Sequence, residues 1–402
     1  MRRVITTIII LLFGLGCGKP SSNIESGLRD QVLHLGNGAE PQSLDPHLAT
    51  SVGAHHIMSS LLEGLMAENP KTLEPEPGVA KSWVISEDRK TYTFTLRKDA
   101  KWSNGDPVKA SDFVYSYRRI LNQELAAQYG YMVQALKNGK LFNTGKKCSS
   151  GVWLLVKDGP PKVVAHPEAW EALDDTGRAK VLAALQPEGE DVSGECILCA
   201  QPTKLQPLDW DDWDRCEVGA RAIDDHTLEL KLENPTPYFL ELLNHYTFWP
   251  VHPPTIESFG ARTKRGTGWA LPGKYVGNGP FTLEEWQINA RSVVKKNLNY
   301  WDRDTVKLNE IRFYPIESVD TEERAFRSNF IHNTQTVPPY RIDWHKKNNR
   351  DSLHVDTYLG VYFYRFNTER KPLDDVRVRL ALALSIDREA LVKHVLRAGQ
   401  QP

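Results

Sequence analysis

Four cysteines in the body of the chain are the residues whose type and spacing most directly suggest chemistry. Cys196 and Cys199 form a Cys-x-x-Cys pair, and Cys148 and Cys216 flank it at irregular distances. In an oxidising compartment, an even number of cysteines favours two disulfides, for which three pairings exist. Four converging thiolates would also suit a structural zinc site, and free thiols are the third alternative. No βαβ pattern surrounds the pair, so a thioredoxin-like redox role is not expected.

Two further groups of residues have metal-binding side chains but unfavourable spacing. His55 and His56 are adjacent in a segment with helical periodicity, so one helix face cannot present both rings to one metal. Asp211, Asp212 and Asp214 could bind calcium, but no glycine turn accompanies them, which favours a solvated acidic loop. The sequence contains no nucleophile elbow, zinc-hydrolase spacing or phosphate loop. It therefore predicts that the protein is not an enzyme and needs no cofactor.

The first residues have the layout of an export signal. Arg2 and Arg3 precede an apolar run over residues 4–16, which is too short for a comfortable membrane span and typical of a signal peptide. Cys17 follows the small residue Gly16, as at the lipidation site of bacterial lipoproteins, although Gly14 stands where leucine is usual. We expect an exported protein that is lipid-anchored at Cys17, in the periplasm or on the outer face of the cytoplasmic membrane.

Composition restricts the partners of the mature chain. The 402 residues exceed one ordinary core, which predicts two or three lobes. The formal net charge of −1 lacks the basic surplus that nucleic-acid binding requires. The sequence therefore predicts a protein without a nucleic-acid partner, and we expect a monomer.

Hydrophobic periodicity places strands and helices in alternation along the chain. Strands are predicted at residues 32–35, 92–96, 227–232, 292–296 and 361–366. A helix is predicted over residues 54–66, and another is expected to begin at Ser111 or Asp112. A long amphipathic helix is predicted from Val376, with a second half that starts at Asp387 and a stop at Gly399. This interleaving is typical of an α/β protein.

Several ordered stretches resemble the extracellular solute-binding family of peptide and nickel ABC importers, specifically its oligopeptide-binding branch. The stretches are GNGAEPQSLDPH (36–47), LLEGLM (61–66), the segment over residues 80–114, ENPTPYFLELLNH (233–245), NGPFTLEEW (278–286), KNLNYWD (296–302) and PLDDVRVRLALALSIDRE (372–389). Together they cover nearly all of the chain from residue 32 onward, except a segment rich in proline, glycine and acidic residues at about 149–217. Their order and number make the resemblance specific.

The resemblance implies a type II-like periplasmic-binding-protein fold, bilobal with an additional domain. Residues 31–62 and 253–359 would form domain I, residues 63–252 domain II with the insert, and residues 360–402 the start of domain III. Residues 1–17 would be the signal peptide and residues 18–30 a tether. The implied function is to capture short peptides between lobes, by strand addition to an exposed edge, and to deliver them to ABC importer permease subunits.

The resemblance also implies ligand-binding positions. Thr50, Ser51 and Val52 follow the Leu-Asp-Pro-His motif and would offer backbone groups to the ligand. Tyr129 would approach from the second lobe. The strand that leads into the third region points to a further pair of pocket residues, Phe363 and Arg365.

The chain departs from the family pattern at its insert and at Pro402, beyond which the family is expected to continue with an aspartate that pairs with the peptide's amino group. Three alternatives remain open at this point. They are a binding protein for nickel chelate, haem or another small solute, a non-functional truncated homologue, and a surface interaction protein whose cysteine-containing insert is the working part.

Overall fold

The computed structural model describes residues 22–144, 218–356 and 360–402, together with the backbone of two short strands between residues 152 and 165. The chain divides into two compact units. The larger unit comprises Asp30–Leu33 and Ala39–Pro315, and the smaller comprises Met1–Arg29, His34–Gly38 and Ile316–Pro402. The domain boundaries expected from the sequence, with domains I, II and III, stay a prediction.

Short strands and helices alternate along the described residues. The strands are β1 Val32–Gly36, β2 Met66–Glu68, β3 Pro75–Pro77, β4 Ala80–Ile85, β5 Thr91–Leu96, β6 Val152–Leu154, β7 Lys162–Ala165, β8 Ala220–Asp224, β9 Thr227–Lys231, β10 Phe281–Gln287, β11 Arg291–Lys296 and β12 Glu310–Tyr314. The helices are α1 Asn23–Asp30, α2 Val52–Leu61, α3 Ala110–Leu121, α4 Gly130–Val133, α5 Gly139–Asn143, α6 Phe239–Leu242, α7 Pro253–Ser258, α8 Val319–Arg327, α9 Ile342–Asn348, α10 Val376–Leu384 and α11 Arg388–Ala390. The strands predicted around residues 32, 92, 227 and 292 are confirmed.

One sheet of the larger unit has the strand order β4-β5-β9-β8, with antiparallel neighbours. The alternation in β5 buries Tyr92, Phe94 and Leu96 while the threonines between them are more accessible. Helix α3 packs against β8 and β9 and buries Phe113 and Tyr117. The apolar face of strand β5, which repeats every two residues, and the apolar face of helix α3, which repeats every 3.6 residues, thus pack into one core.

A second sheet has the order β1-β12-β11-β10. The β10–β11 hairpin turns at Asn289, whose φ of 59° lies in the left-handed region that asparagine tolerates better than most residues. Val293 and Val294 of β11 are buried, as are Ile311 and Phe313 of β12. The strands of this sheet therefore contribute to an apolar core of their own.

Helix α3 begins earlier than the sequence indicated. Lys109 is its N-cap residue, so the prediction that Ser111 or Asp112 caps the helix is wrong. Asp112 instead lies in the first turn, where its carboxylate accepts hydrogen bonds of 3.0 Å from the Lys109 backbone and from Trp102 Nε1. The hydrogen bond from the Lys109 backbone places the helix start two or three residues upstream, and the buried indole of Trp102 holds the carboxylate in position for it.

Helix α2 also ends before the predicted position. It stops at Leu61, with Leu62 already extended, because Asn278 captures the backbone of Glu63. The Asn278 amide accepts from Glu63 N at 3.0 Å and donates to Glu63 O at 2.9 Å. A Cβ at Gly277 would lie 2.1 Å from the Leu61 carbonyl oxygen, so only glycine allows this close approach.

The smaller unit contains helix α8, whose N-cap residue is Ser318, and helix α9. In α8 the buried Glu323 pairs with Arg327 at 2.7 Å, one turn later. Tyr340 donates a hydrogen bond of 2.6 Å to Asp320. The ion pair lies within α8, and the hydrogen bond joins the first turn of α8 to the segment that precedes α9.

Two predictions for the end of the chain need correction. Residues 361–366 are not paired as a strand in the described structure, and Tyr362 is 90% exposed. A strand requires a hydrogen-bonded neighbour, which a hydrophobic pattern cannot supply. The predicted long helix is broken after Leu384, and Asp387 caps the next helical segment as predicted. That segment ends at Arg397, with φ 59°, before Gly399 is reached.

Among the described residues, no helix combines the length and the apolar character needed to cross a membrane.

The side chain of Glu63 ties the end of α2 to the segment after β11. It accepts hydrogen bonds of 2.7 Å from Tyr300 Oη and from Trp301 Nε1. The Arg97 guanidinium stacks 3.6 Å from the centre of the Trp301 ring. Burial raises the pKa of Glu63 to about 7, although the two hydrogen bonds and Arg97 favour the ionised form.

We expect Glu63 to make stability depend on pH. Its pKa in the folded state lies above the ordinary value, so the folded protein retains a proton that the unfolded chain releases, and stability falls as pH rises through this window. Between about pH 5 and about pH 8, the wild type should lose about 2 kcal/mol more of its free energy of unfolding than Glu63→Gln. Urea denaturation measures both.

The exposed Glu87, in the turn between β4 and β5, supplies the control. Glu87→Gln should follow the wild type at every pH. A constant difference between the wild type and Glu63→Gln across the range would show that Glu63 does not titrate in this way.

Candidate functional site

The segment that precedes α2 is anchored by a buried ion pair. Arg119 of α3 is fully buried and donates to both carboxylate oxygens of Asp45, at 3.0 Å and 2.7 Å. It also donates to the Ala261 carbonyl oxygen from two nitrogens. Burial opposes ionisation of Asp45, but the Arg119 charge and hydrogen bonds hold the pKa of its carboxyl below the ordinary value. The two-pronged geometry fixes Asp45 in one position.

His47 extends this network towards residues 245–249. Its Nδ1 lies 2.8 Å from Arg119 Nη1, and its Nε2 lies 3.4 Å from the Trp249 carbonyl oxygen. Because a guanidinium can only donate, Nδ1 accepts and the proton belongs on Nε2. Burial and then the Arg119 charge lower the pKa of His47 to about 3, so its ring is neutral.

Further contacts complete the anchor. Trp269 Nε1 donates to Asp45 at 3.3 Å, and Tyr275 Oη donates to the Leu44 carbonyl at 3.1 Å. The two rings stack with centroids 5.2 Å apart. The Leu-Asp-Pro-His motif is therefore a buried structural element, and it determines where the following residues emerge.

Three predicted site residues emerge together at the start of α2. Thr50 is exposed, Ser51 is half-buried and Val52 is 57% exposed. Ser51 is the N-cap with extended backbone (φ −105°, ψ 148°), and its Oγ accepts from Ala54 N at 3.2 Å. Val52 is the first helical residue, where a backbone N–H has no partner inside the helix. This segment thus presents the extended backbone of Ser51 directly before the first N–H of α2 at Val52.

Tyr129, the fourth predicted residue, lies in the same unit beside an aromatic group. It is the N-cap of α4, and its ring meets His245 at 5.6 Å and Tyr246 at 6.2 Å between centroids. Tyr246 in turn lies 5.5 Å from His55, one turn along α2 from Ser51. The structure therefore brings Tyr129 to the neighbourhood of the α2 start through Tyr246 and His55.

The remaining two predicted ligand residues belong to the smaller unit. Phe363 is 65% exposed and Arg365 is also exposed, both in the segment without strand pairing. Their role stays a prediction.

The cysteine predictions lie outside the described residues. This holds for Cys17 and for Cys148, Cys196, Cys199 and Cys216, and it holds for the aspartates of the insert. In the part of the chain that the structure describes, no group of three or more histidine, cysteine or acidic side chains is placed to hold a metal ion.

Sequence reasoning missed the residues that position the site. Asp45 and His47 belong to a recognised motif, but nothing indicated that their partner was Arg119, 74 positions from Asp45. From the sequence, His55 is notable only as one of an adjacent pair of histidines, with His56, that could bind a metal. Its contacts with Tyr246 and Trp249 depend on tertiary packing that the adjacent pair does not signal.

Comparison with solved structures identifies the fold. The OppA protein of Haemophilus influenzae, solved in complex with RPPGFSPFR, superposes with a TM-score of 0.71 at 30% identity, over 93% of this chain and 59% of that chain. The mixed α/β sheets and this likeness confirm the predicted type II-like periplasmic binding fold.

The sequence comparisons then identify the family. The model of the bacterial extracellular solute-binding proteins, family 5, middle region, matches residues 74–402. The chain belongs to this family. The periplasmic oligopeptide-binding protein OppA of Escherichia coli is 34% identical over 373 residues, which is 92% of this chain and 55% of that protein. The oligopeptide-binding protein OppA of Bacillus subtilis is 32% identical over 99% of this chain and 62% of its own length.

The prediction of the oligopeptide-binding branch is confirmed by these relatives. The family is one of solute-binding proteins. The chain spans between about half and two thirds of the length of the relatives it matches.

We expect loss of the Asp45 carboxylate to destabilise the larger unit strongly. Asp45→Asn leaves the fully buried Arg119 without an anionic partner, which costs about 3 to 5 kcal/mol. Chemical denaturation of the full chain measures this loss.

Asp225→Asn is the matched control, because it removes the same type of charge from an exposed pair with Lys109. It should cost less than about 1 kcal/mol. Similar losses in the two variants would contradict the anchoring role of Asp45.

Proposed function

We propose that this chain is the solute-binding component of an ABC-type oligopeptide importer and that it captures short peptides. The observation that carries the proposal is the extended backbone of Ser51, between the exposed residues Thr50 and Val52 at the start of α2, held in place by the buried Asp45–Arg119 pair. Family membership and the relatives named for oligopeptide binding support it.

Strand addition is the mode of capture that suits this segment. A peptide backbone can pair with the unpartnered groups of an extended stretch without using the peptide's side chains. Because Val52 is the first residue of α2, its N–H points out of the helix start and needs an acceptor. A ligand carbonyl meets that need, while Tyr129 would cover the peptide from its place at the start of α4.

The partners follow from the same proposal. A binding component hands its peptide to permease subunits at the membrane, and we propose that the chain works outside the cytoplasm, as relatives named periplasmic do. The export signal and Cys17 support a lipid anchor. The charge of −1 supports a role without nucleic acid.

Lipidation can be tested directly in growing bacteria. When the full gene is expressed with labelled palmitate, the wild type should incorporate label, and Cys17→Ser should incorporate none. Cys148→Ser is the control and should be labelled like the wild type. Equal labelling of the Cys17 variant would exclude Cys17 as the anchor.

Backbone capture predicts an unusual effect of proline at position 52. Proline is tolerated at the first helical position, and Ser51 already has the extended conformation that a following proline requires. Val52→Pro should therefore fold normally but lose one N–H donor. Its affinity for trialanine should fall about tenfold, because a buried ligand carbonyl is left unpaired. Isothermal titration calorimetry gives the affinity.

Val52→Ala keeps the N–H and shortens the side chain, so it should bind trialanine nearly as the wild type does. Circular dichroism and urea melts establish that both variants are folded. Equal affinity of the proline and alanine variants would contradict backbone capture at this position, and no binding by the wild type would contradict peptide capture itself.

A further inference from the structure

Five aromatic side chains of the larger unit form a group beside the start of α2, which we call the imidazole–tyrosine cluster: His55, Tyr129, His245, Tyr246 and Trp249. Tyr246 is its centre. The Tyr246 ring stacks on His245 at 4.2 Å with an interplanar angle of 29°, and lies 5.5 Å from His55 and 6.3 Å from Trp249.

The cluster lies between a buried layer and the surface. Trp249 and Tyr246 are buried, whereas His55, Tyr129 and His245 are half-buried. The His55 backbone donates to Ser51 O at 3.1 Å, so this imidazole stands one helical turn from the proposed capture segment. His55 thus borders the backbone that we assign to peptide capture, and His245 is joined to His55 through the ring of Tyr246.

The two imidazoles differ in how their ring nitrogens are engaged. His245 Nδ1 accepts a hydrogen bond of 3.3 Å from the Thr247 backbone N–H and lies 3.0 Å from Thr247 Oγ1, and these contacts orient its ring. His55 Nδ1 is shielded from solvent but has no hydrogen-bond partner in the structure. A buried polar atom without a partner is uncommon and invites a ligand group.

Among the described residues, no negatively charged side chain acts on the two imidazoles. The side chains that face them in the described structure are the phenols of Tyr129 and Tyr246 and the indole of Trp249. The charges that act on them come from histidines: His56 acts on His55, and His55 acts on His245. Burial and these repulsions lower the pKa of both rings, that of His245 to about 4.

We propose that His55 and His245 select peptides that place an acidic side chain against the cluster, and that this preference strengthens as the pH falls. The inference rests on the proposed peptide capture and names the chemical class of ligand that this part of the site favours.

The sign of the pH effect follows from proton linkage. In the free protein the two rings are neutral near pH 7, because protonation would bring two cations together in a half-buried place. A ligand carboxylate supplies the missing counter-charge and raises their affinity for protons. Binding of an acidic peptide therefore takes up protons and becomes tighter in acid, whereas a basic side chain adds to the repulsion and binds more weakly.

Matched tripeptides test this selectivity. Alanine tripeptides carrying Glu, Gln or Lys at each position in turn are titrated into the full chain at about pH 7.5 and about pH 5.5, where the glutamate remains mostly ionised. For at least one position, the ratio of Lys-peptide to Glu-peptide dissociation constants should rise about fivefold on acidification. The same titrations in buffers of different ionisation enthalpy should show proton uptake with the Glu peptide and none with the Gln peptide.

Variants assign the effect to the cluster. In the double variant His55→Gln, His245→Gln the pH-dependent ratio should disappear, and each single variant should reduce it. His354→Gln changes an exposed histidine of the smaller unit and should retain the full effect. The proton-uptake measurement uses the wild type, so it tests whether binding of the Glu peptide takes up protons even where the double variant fails to fold.

The outcomes separate this inference from the proposed function. Binding of the Gln peptide with no pH-dependent preference between Glu and Lys would overturn the selectivity and leave peptide capture standing. A preference that persists in the folded double variant would overturn the role of these two histidines. Absence of binding for all three peptides would overturn peptide capture and this inference together.

Discussion

The ion pair between Asp45 and Arg119 is the constraint on which the rest of the larger unit's site depends. Both side chains are withdrawn from water, which costs more than their attraction returns unless every hydrogen bond is made. Here the Arg119 guanidinium donates hydrogen bonds to the Asp45 carboxylate, the Ala261 carbonyl and the His47 imidazole at once. Such a network admits one arrangement of the chain, so it specifies geometry more than it adds stability.

Two surfaces are positioned from this one pair. On the C-terminal side of Asp45, the chain reaches Ser51 and α2 within a few residues. This sets the extended backbone of Ser51 and the first N–H of α2 at Val52. Through His47, the pair also reaches the carbonyl of Trp249, whose ring supports His55 and Tyr246. The proposed capture segment and the imidazole–tyrosine cluster therefore share one buried reference point, and neither needs a flexible loop for its placement.

Sequence patterns predicted what depends on local periodicity and failed where a distant residue decides. The alternation in β5 and β9 located those strands because each buries one face. The end of α2 was placed too late, because Asn278, 215 positions from Glu63, captures its backbone. The predicted start of α3 lies too late because the Asp112 carboxylate accepts from the backbone of Lys109, three residues earlier, and is held there by Trp102. Residues 361–366 have the pattern of a strand but no partner in the described structure.

For the site, the family resemblance located Thr50, Ser51, Val52 and Tyr129, whereas Arg119 and His245 became visible only through tertiary contacts.

The central claim is that the backbone of the capture segment, placed by the buried pair, binds the peptide main chain. Amide hydrogen exchange of the full chain, followed by NMR or mass spectrometry with and without saturating trialanine, tests this claim most directly. Exchange of the Val52 N–H should slow markedly on adding the peptide, while exchange in the exposed turn at Glu87 should not change. Saturable binding of trialanine with unchanged exchange at residues 50–52 would contradict it.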